Sequence, residues 1–328
     1  MSGPADWAAP ALDSVLDRVG RVHGEVGDRF PLFAEPGADR WRTTSRGSWT
    51  GGFWAGLLWL RARRTGAAAD RAAAADCTRR LAPWTEADTA ARGLVFWYGT
   101  ALSDEAPARE LRTRAADACV DAYDPELRLV PWGSAFGGPR LVARADAVPG
   151  LVPLLASAGP AAASVARAHL RTHLELCGSG GAFRFDPEGG WLPVPEPAPG
   201  WARGDAWLQL AAADAVHWLG LHDLADTARR LTVGPAVPAA DAALPDGPRD
   251  TSAAAIAAVA LLKLSEQDRA LAVLEELVRS YLTADGRLLE GCYDLHSGTA
   301  VRHELVWGTY FLAYGLAVLT GLVDLWDA

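Results

Sequence analysis

The feature that most constrains this 328-residue sequence is an alternation between two kinds of apolar segment. Apolar residues recur at three- and four-residue spacings along most of the chain, the period of an α-helix, while convincing alternating strands are few. Caps and breakers divide the chain into about twelve predicted helices, near 10–25, 51–65, 68–82, 92–103, 106–122, 146–158, 160–176, 205–219, 222–231, 251–264, 267–282 and 305–321. Those starting near 51, 92, 146, 205, 251 and 305 are almost wholly apolar, as in "DTSAAAIAAVALLKL" and "ELVWGTYFLAYGLAVL", and fit helices buried on all sides. The intervening ones, such as "DRALAVLEELVRSYL", carry charge on one face and fit a surface layer.

Six buried helices alternating with six amphipathic ones predict an all-α (α/α)6 barrel, an inner ring wrapped by an outer ring, with residues 1–328 as a single domain. A polar and aromatic cluster precedes or opens each inner helix: "SWTGG", "EADTAARG", "RLVARAD", "GWARGDAW", "PRDTS" and "RHELVWG". If the inner helices run parallel, these clusters meet at one end of the barrel. Their helix N-termini then place partial positive charge around a pocket, which suits a substrate carboxylate.

Composition excludes several classes. Half the residues are apolar and 22% charged, so the chain has ample material for a core. A net charge of −9 argues against a nucleic-acid partner, which needs a basic face. Cys77, Cys119, Cys177 and Cys292 form no Cys-x-x-Cys pair, so zinc and a disulfide framework are not expected; free thiols in a cytoplasmic protein are. No basic-then-apolar leader and no run of eighteen uncharged apolar residues occurs, so neither export nor a membrane span is expected. The sequence leaves the oligomeric state open.

Carboxylates are the leading acid/base candidates, because no Gly-x-Ser-x-Gly elbow is present. Asp146, at the head of "DAVPGLVPLLASAG", reads either as a helix cap or as a general acid, which needs burial or a neighbouring carboxylate to hold its proton near neutrality. Asp205 lies between Trp201 and Trp207, two residues after Arg203, and is expected in the pocket. Asp88 and Asp250 occupy helix-entry positions that capping explains, with Asp88 kept as a third catalytic candidate. Arg249 can clamp a carboxylate or pair with a neighbour. Trp49 and Trp54 are expected in one pocket wall, with Phe53 and Trp59 in packing. His303 joins the polar group before the last inner helix; no metal-ligand spacing surrounds it. "GSGGAF" at 178–183 is a turn rather than a nucleotide fingerprint.

The motifs "DRFPLF", "SWTGGFWAGLLWL", "RADAVPGLVPLL", "GWARGDAW", "RDTSAAAIAAVALLKL" and "ELVWGTYFLAYGL" resemble, in order and approximate spacing, those of the unsaturated glucuronyl hydrolases of glycoside hydrolase family 88, with kinship to family 105. The resemblance spans essentially the whole chain. It implies an (α/α)6 barrel that hydrates the C4=C5 enol-ether bond of a 4,5-unsaturated uronic acid ending an oligosaccharide, with no metal or organic cofactor. It also implies that Asp146 is the general acid/base and that Trp49, Trp201, Arg203 and Trp207 hold pocket and motif positions.

The chain departs from the family at four places. Ala91 stands where a second essential aspartate is expected, and Asp205 where a sugar-binding glutamine is usual. Arg184 stands where many relatives have a pocket histidine, and Thr309 where they commonly have aspartate. Asp205 close to Asp146 would favour one proton shared by a rebuilt dyad. Three functions follow: a hydrolase of unsaturated uronides, a tailoring enzyme that protonates an alkene or enol ether in a small metabolite, and a sugar-binding protein without catalysis.

Overall fold

Gly52 and Gly56 explain how the aromatic-rich segment at 48–60 folds. A methyl group on Gly52 would run into the carbonyl oxygens of Leu94 and Val95, and one on Gly56 into Tyr310 and the carbonyl of Tyr98. Two backbones therefore approach more closely than any side chain would allow, and α2 (Gly51–Thr65) is enclosed by its neighbours.

The computed structural model describes residues 4–37, 40–178, 180–232 and 234–328. Among them, twelve helices form the two layers expected. The inner ring is α2, α4 (Tyr98–Thr100, continuing a π-helical turn Gly93–Trp97), α6 (Leu151–Ala156), α8 (Ala202–Trp218), α10 (Thr251–Lys263) and α12 (Val306–Leu319). Each touches the next, and α12 returns to α2, so the ring closes. Outside lie α1 (Pro4–Val26), α3 (Ala68–Arg79), α5 (Ala106–Asp121), α7 (Pro160–Cys177), α9 (Ala225–Leu231) and α11 (Gln267–Glu276). The architecture is an (α/α)6 toroid.

The apolar runs are explained by burial on both faces: every residue of α10 is buried, Lys263 included. Within the core, Phe53 stacks on Tyr98 at 5.0 Å and lies 5.5 Å from both Tyr310 and Phe311. Trp59 donates Nε1 to Thr78 Oγ1 at 2.9 Å, so both residues serve packing as expected. Trp54 does too, which corrects its placement in a pocket wall: its side chain is 1% exposed and lines no cavity found at the barrel end.

Helix boundaries differ from expectation where proline and glycine intervene. Asp146 does not begin the sixth helix; it sits in a 3-10 turn, Ala145–Ala147, separated from α6 by Pro149 and Gly150. Gly150 has φ +71 and packs against the carbonyl of Gly93, a place no β-carbon could occupy.

Short strands occupy the connections. β1 (Phe30–Ala34), β2 (Trp41–Thr44), β6 (Gly291–Asp294) and β7 (Thr299–Leu305) form a sheet in the order β2-β1-β7-β6; β3 (Val142–Ala143), β4 (Ala182–Asp186) and β5 (Gly190–Val194) form another. The segment "DRFPLF" is thus largely a strand, paired antiparallel with β2 and β7. Buried Glu304 on β7 takes a two-pronged pair from Arg18 of α1, with contacts from 2.6 to 3.0 Å, and ties the outer layer to the head of α12.

Candidate active site

The segments that open α2, α6 and α8, with the β6–β7 hairpin that leads into α12, meet at one end of the barrel around a cavity of about 660 Å³. That volume lies within the range of small-molecule sites. Trp49, Trp132, Trp201 and Trp207 supply indole walls, Phe136 and Tyr293 further aromatic surface, and Arg144, Asp146 and Arg203 the polar groups of the inner part. Trp49 is held by Tyr293, whose hydroxyl accepts Nε1 at 3.4 Å, and by Trp307 at 4.8 Å between ring centres.

Asp146 projects into this cavity with its side chain 17% exposed. Its carboxylate is gripped by Arg144: Nε reaches Oδ1 at 2.5 Å and an Nη reaches Oδ2 at 3.0 Å. Arg144 in turn lies over the Trp132 ring, 4.5 Å from its centroid. The partner of Asp146 is therefore a guanidinium rather than a second carboxylate. The turn that carries it is pinned from α7. His169 Nδ1 accepts the Val130 amide at 3.0 Å, which leaves Nε2 to donate to the carbonyl of Ala147 at 3.2 Å. His173 lies 4.1 Å from His169 between ring centres and donates Nδ1 to the His169 carbonyl at 2.8 Å. Burial keeps both imidazoles neutral, His169 well below the usual histidine range and His173 at about 4. His173 and Cys177 are close enough to Asp146 to feel its charge.

Arg203 and Trp207, four residues apart, present one face of α8 to the cavity. Arg203 is 4% exposed and its terminal nitrogens are committed: one to Asp250 Oδ2 at 2.9 Å and the carbonyl of Cys292, the other to the carbonyl of Tyr293 at 2.7 Å. It sits 4.9 Å from the Trp201 ring and 5.4 Å from Trp307. Its geometry makes it a pin between α8, α10 and β6, with the expected sugar contact limited to what remains on its surface. Asp250 caps α10 by accepting from the Ser252 amide at 3.0 Å, as its sequence position suggested.

Asp205 is a correction. It lines a second cavity, between α8, α9, α10 and α11, together with Arg249. Its amide bonds the Trp201 carbonyl at 3.4 Å, but its carboxylate makes no hydrogen bond or ion pair to another described residue. Its carboxyl is pushed up to about 6, with burial as the cause and no second carboxylate involved. A proton shared between Asp205 and Asp146 has no geometric basis.

Asp88 does not line the main cavity either. Its Oδ2 accepts from the Ser134 amide and hydroxyl, both at 3.1 Å, and from Arg140 Nε at 3.0 Å. Partial burial works to raise its pKa, but the Arg140 and Ser134 contacts prevail and hold it below the usual aspartate range. The segment at 86–93 thus contributes by fastening the loop that carries Trp132 and Phe136, and Ala91 is fully buried. Arg184 pairs along β4 with Asp186 at 3.5 Å and His303 bonds the Val301 carbonyl at 2.8 Å against Phe33; neither lines the cavity. Thr309 is buried in α12. The sequence reading passed over Trp132, Phe136, Tyr293 and His169. "VPWGSAF" carries its two aromatics four residues apart in a segment that Pro131 and Gly133 keep out of a helix, and the four-residue spacing in "HLRTH" puts two histidines on one face of α7.

A closed ring of six helical hairpins with an aromatic-walled cavity at the heads of its inner helices is the six-hairpin glycosidase arrangement. No family model matches the chain. The curated unsaturated glucuronyl hydrolase of Bacillus sp. strain GL1 is 27% identical over 372 residues, an alignment covering 96% of this chain and 98% of that protein. The 1.8 Å crystal structure of the Bacillus sp. GL1 enzyme, described as responsible for the degradation of glycosaminoglycan, superposes with a TM-score of 0.84 at 26% identity, covering 95% of this chain and 96% of that one. An unsaturated glucuronyl hydrolase specific for heparin shares the fold with a TM-score of 0.84 at 21% identity, covering 98% and 99% of the two chains. In sequence and fold the chain is homologous to the unsaturated glucuronyl hydrolases, and it is a hydrolase-type enzyme. Among the described residues no helix is long and apolar enough to cross a membrane.

Proposed function

We propose that the protein hydrates the C4=C5 enol-ether bond of a 4,5-unsaturated uronic acid at the end of an oligosaccharide, with Asp146 as proton donor. The observation that carries this reading is the position of Asp146: its carboxyl enters a cavity framed by Trp49, Trp132, Trp201 and Trp207, from the 3-10 turn that precedes α6. Asp146 gives a proton to C4, and positive charge develops across C5 and the ring oxygen. Water adds at C5 and returns a proton to Asp146; the resulting hemiketal opens and releases the next sugar. One water is consumed and the acid is regenerated. Indole faces suit both a flat ring and a developing cation. A similar structure, 25% identical with a TM-score of 0.84, is that of a UGL variant with dGlcA-Glc-Rha-Glc.

The test is the absorbance of the conjugated double bond on incubation with unsaturated disaccharides. Wild type should bleach it, and Asp146→Asn should lose activity by roughly 10²–10⁴-fold, the usual worth of a general acid. Activity retained in Asp146→Asn rejects the assignment. A second reading, protonation of an alkene or enol ether in a smaller metabolite, is favoured by the sparse carboxylates. Ala91 is buried, Asp205 faces another cavity, and among the other lining acids Glu196 and Asp294 are exposed while Asp241 bonds the Ala243 amide at 2.8 Å. A full panel of unsaturated uronides left unchanged would select it over the first.

A further inference from the structure

The ion pair at the centre of the cavity poses a chemical problem. Arg144 occupies both oxygens of the residue assigned as proton donor, so one of those contacts must open before Asp146 can carry a proton to a substrate. Arg203, the other arginine in the cavity, has both terminal nitrogens committed to Asp250 and to two backbone carbonyls. Among the described residues the Arg144 side chain has no such internal anchor: apart from Asp146 it rests on the face of Trp132 at 4.5 Å, and it is 28% exposed to the cavity. Stacking on an indole leaves the edge of a guanidinium free to choose its acceptor. A carboxylate on the ligand matches that two-pronged edge as well as Asp146 does.

We propose that Arg144 receives the substrate's carboxylate by exchanging partners, turning from Asp146 to the ligand while it stays stacked on Trp132. The inference rests on the reading that a carboxylate-bearing unsaturated sugar is the substrate. The exchange has two consequences at one step: the ligand is anchored by its charge, and the oxygens of Asp146 become open to a proton from water. His169 and His173 behind the turn stay neutral, and His169 keeps its hold on the turn that carries Asp146. A ligand whose carboxylate is masked leaves the Arg144–Asp146 pair closed. Specificity for the acid is thereby built into the group that holds the donor.

The experiment compares an unsaturated uronide disaccharide with its methyl ester, for wild type, R144Q and R144K, with calorimetric binding of saturated glucuronate as a readout independent of turnover. Wild type should prefer the acid by roughly ten- to hundredfold in kcat/KM, the scale of a charge-assisted hydrogen-bond pair. R144Q should remove that preference, chiefly through KM for the acid, and should lose glucuronate binding. R144K, which keeps the charge without the planar fork, should fall between them. An unchanged acid-to-ester ratio in R144Q, with wild-type turnover intact, overturns the role of Arg144 and leaves the proposed reaction standing. If R144Q fails to fold by circular dichroism, an unchanged ratio in R144K does the same. If wild type turns over no uronide, the proposed reaction falls, and glucuronate binding decides alone: loss in the Arg144 variants supports the carboxylate receptor, while equal binding or none in wild type overturns it.

Discussion

Lys263 on α10 and Asp214 on α8 meet at 2.6 Å with both side chains out of contact with water. Lys263 also donates to the carbonyl of Ala328 at 2.8 Å, so the only lysine in the sequence joins two inner helices to the last residue. Burial raises the pKa of Asp214 and Lys263 acts against it. Breaking such a pair from one side leaves an uncompensated buried charge, whereas apolar replacement of both is often neutral. Lys263→Met should lower stability by about 3–5 kcal/mol, and Lys263→Met with Asp214→Leu should recover most of it. Urea unfolding of the three variants measures this; a double variant as weak as the single one contradicts it.

Asp205 provides a test of where catalysis is not. Its folded-state pKa, about 6, is raised above the unfolded value of 3.8, so its contribution to stability is full below pH 3.8 and is lost as pH rises through 6. At pH 7 the charge is a burden, and Asp205→Asn should stabilise by about 1–2 kcal/mol after discounting for solvent screening. Turnover should stay within a few-fold of wild type. A collapse of turnover with folding intact would restore Asp205 to the reacting centre.

The α7 histidines titrate in the opposite sense. The pKa of His173 is depressed from 6.5 to about 4, so the neutral form's contribution is complete above pH 6.5 and is lost as pH falls through 4. His169 shifts in the same direction. Stability should therefore fall between pH 6.5 and 4, by up to about 1.4 kcal/mol per pH unit for each imidazole. His173→Gln should flatten that slope. Denaturation midpoints at pH 7, 5.5 and 4.5 give the comparison, and equal slopes for variant and wild type refute it.

Gly52 sets the spacing between α2 and α4. Gly52→Ala would press a methyl onto the carbonyls of Leu94 and Val95 and should cost about 1–3 kcal/mol, the range for overpacking. Because Trp49 lies one turn before it, KM for the substrate should rise as well. Urea unfolding and steady-state kinetics read the two effects; a variant as stable as wild type shows that the helices can part without penalty.

The layering of the molecule was legible in the sequence because burial on all sides leaves a local mark: α10 and α12 are apolar at nearly every position, while α11 is charged along one face. The headward clusters located Asp146, Trp49, Trp201 and Trp207, since a turn rich in indoles before a buried helix has few packing explanations. The position of Asp205 was also latent there. Residues 203 and 207 share a helix face and 205 lies nearly opposite, so Arg203 and Trp207 reach one cavity and Asp205 another. Trp54, five residues past Trp49 and inside α2, was turned into the core by the same period.

Only the closed ring decided the rest. Ring closure brought Trp132 and Phe136 to the cavity on a loop fastened by Asp88, and put His169 of α7 beneath the turn of Asp146. It also committed Arg203 to Asp250, 47 residues away. The amino-acid sequence by itself determined which helices are buried and in what order, because solvent exclusion acts residue by residue. Which side chains face one another across the cavity depends on distances between segments far apart in the chain, and those exist only once the last inner helix packs against the first.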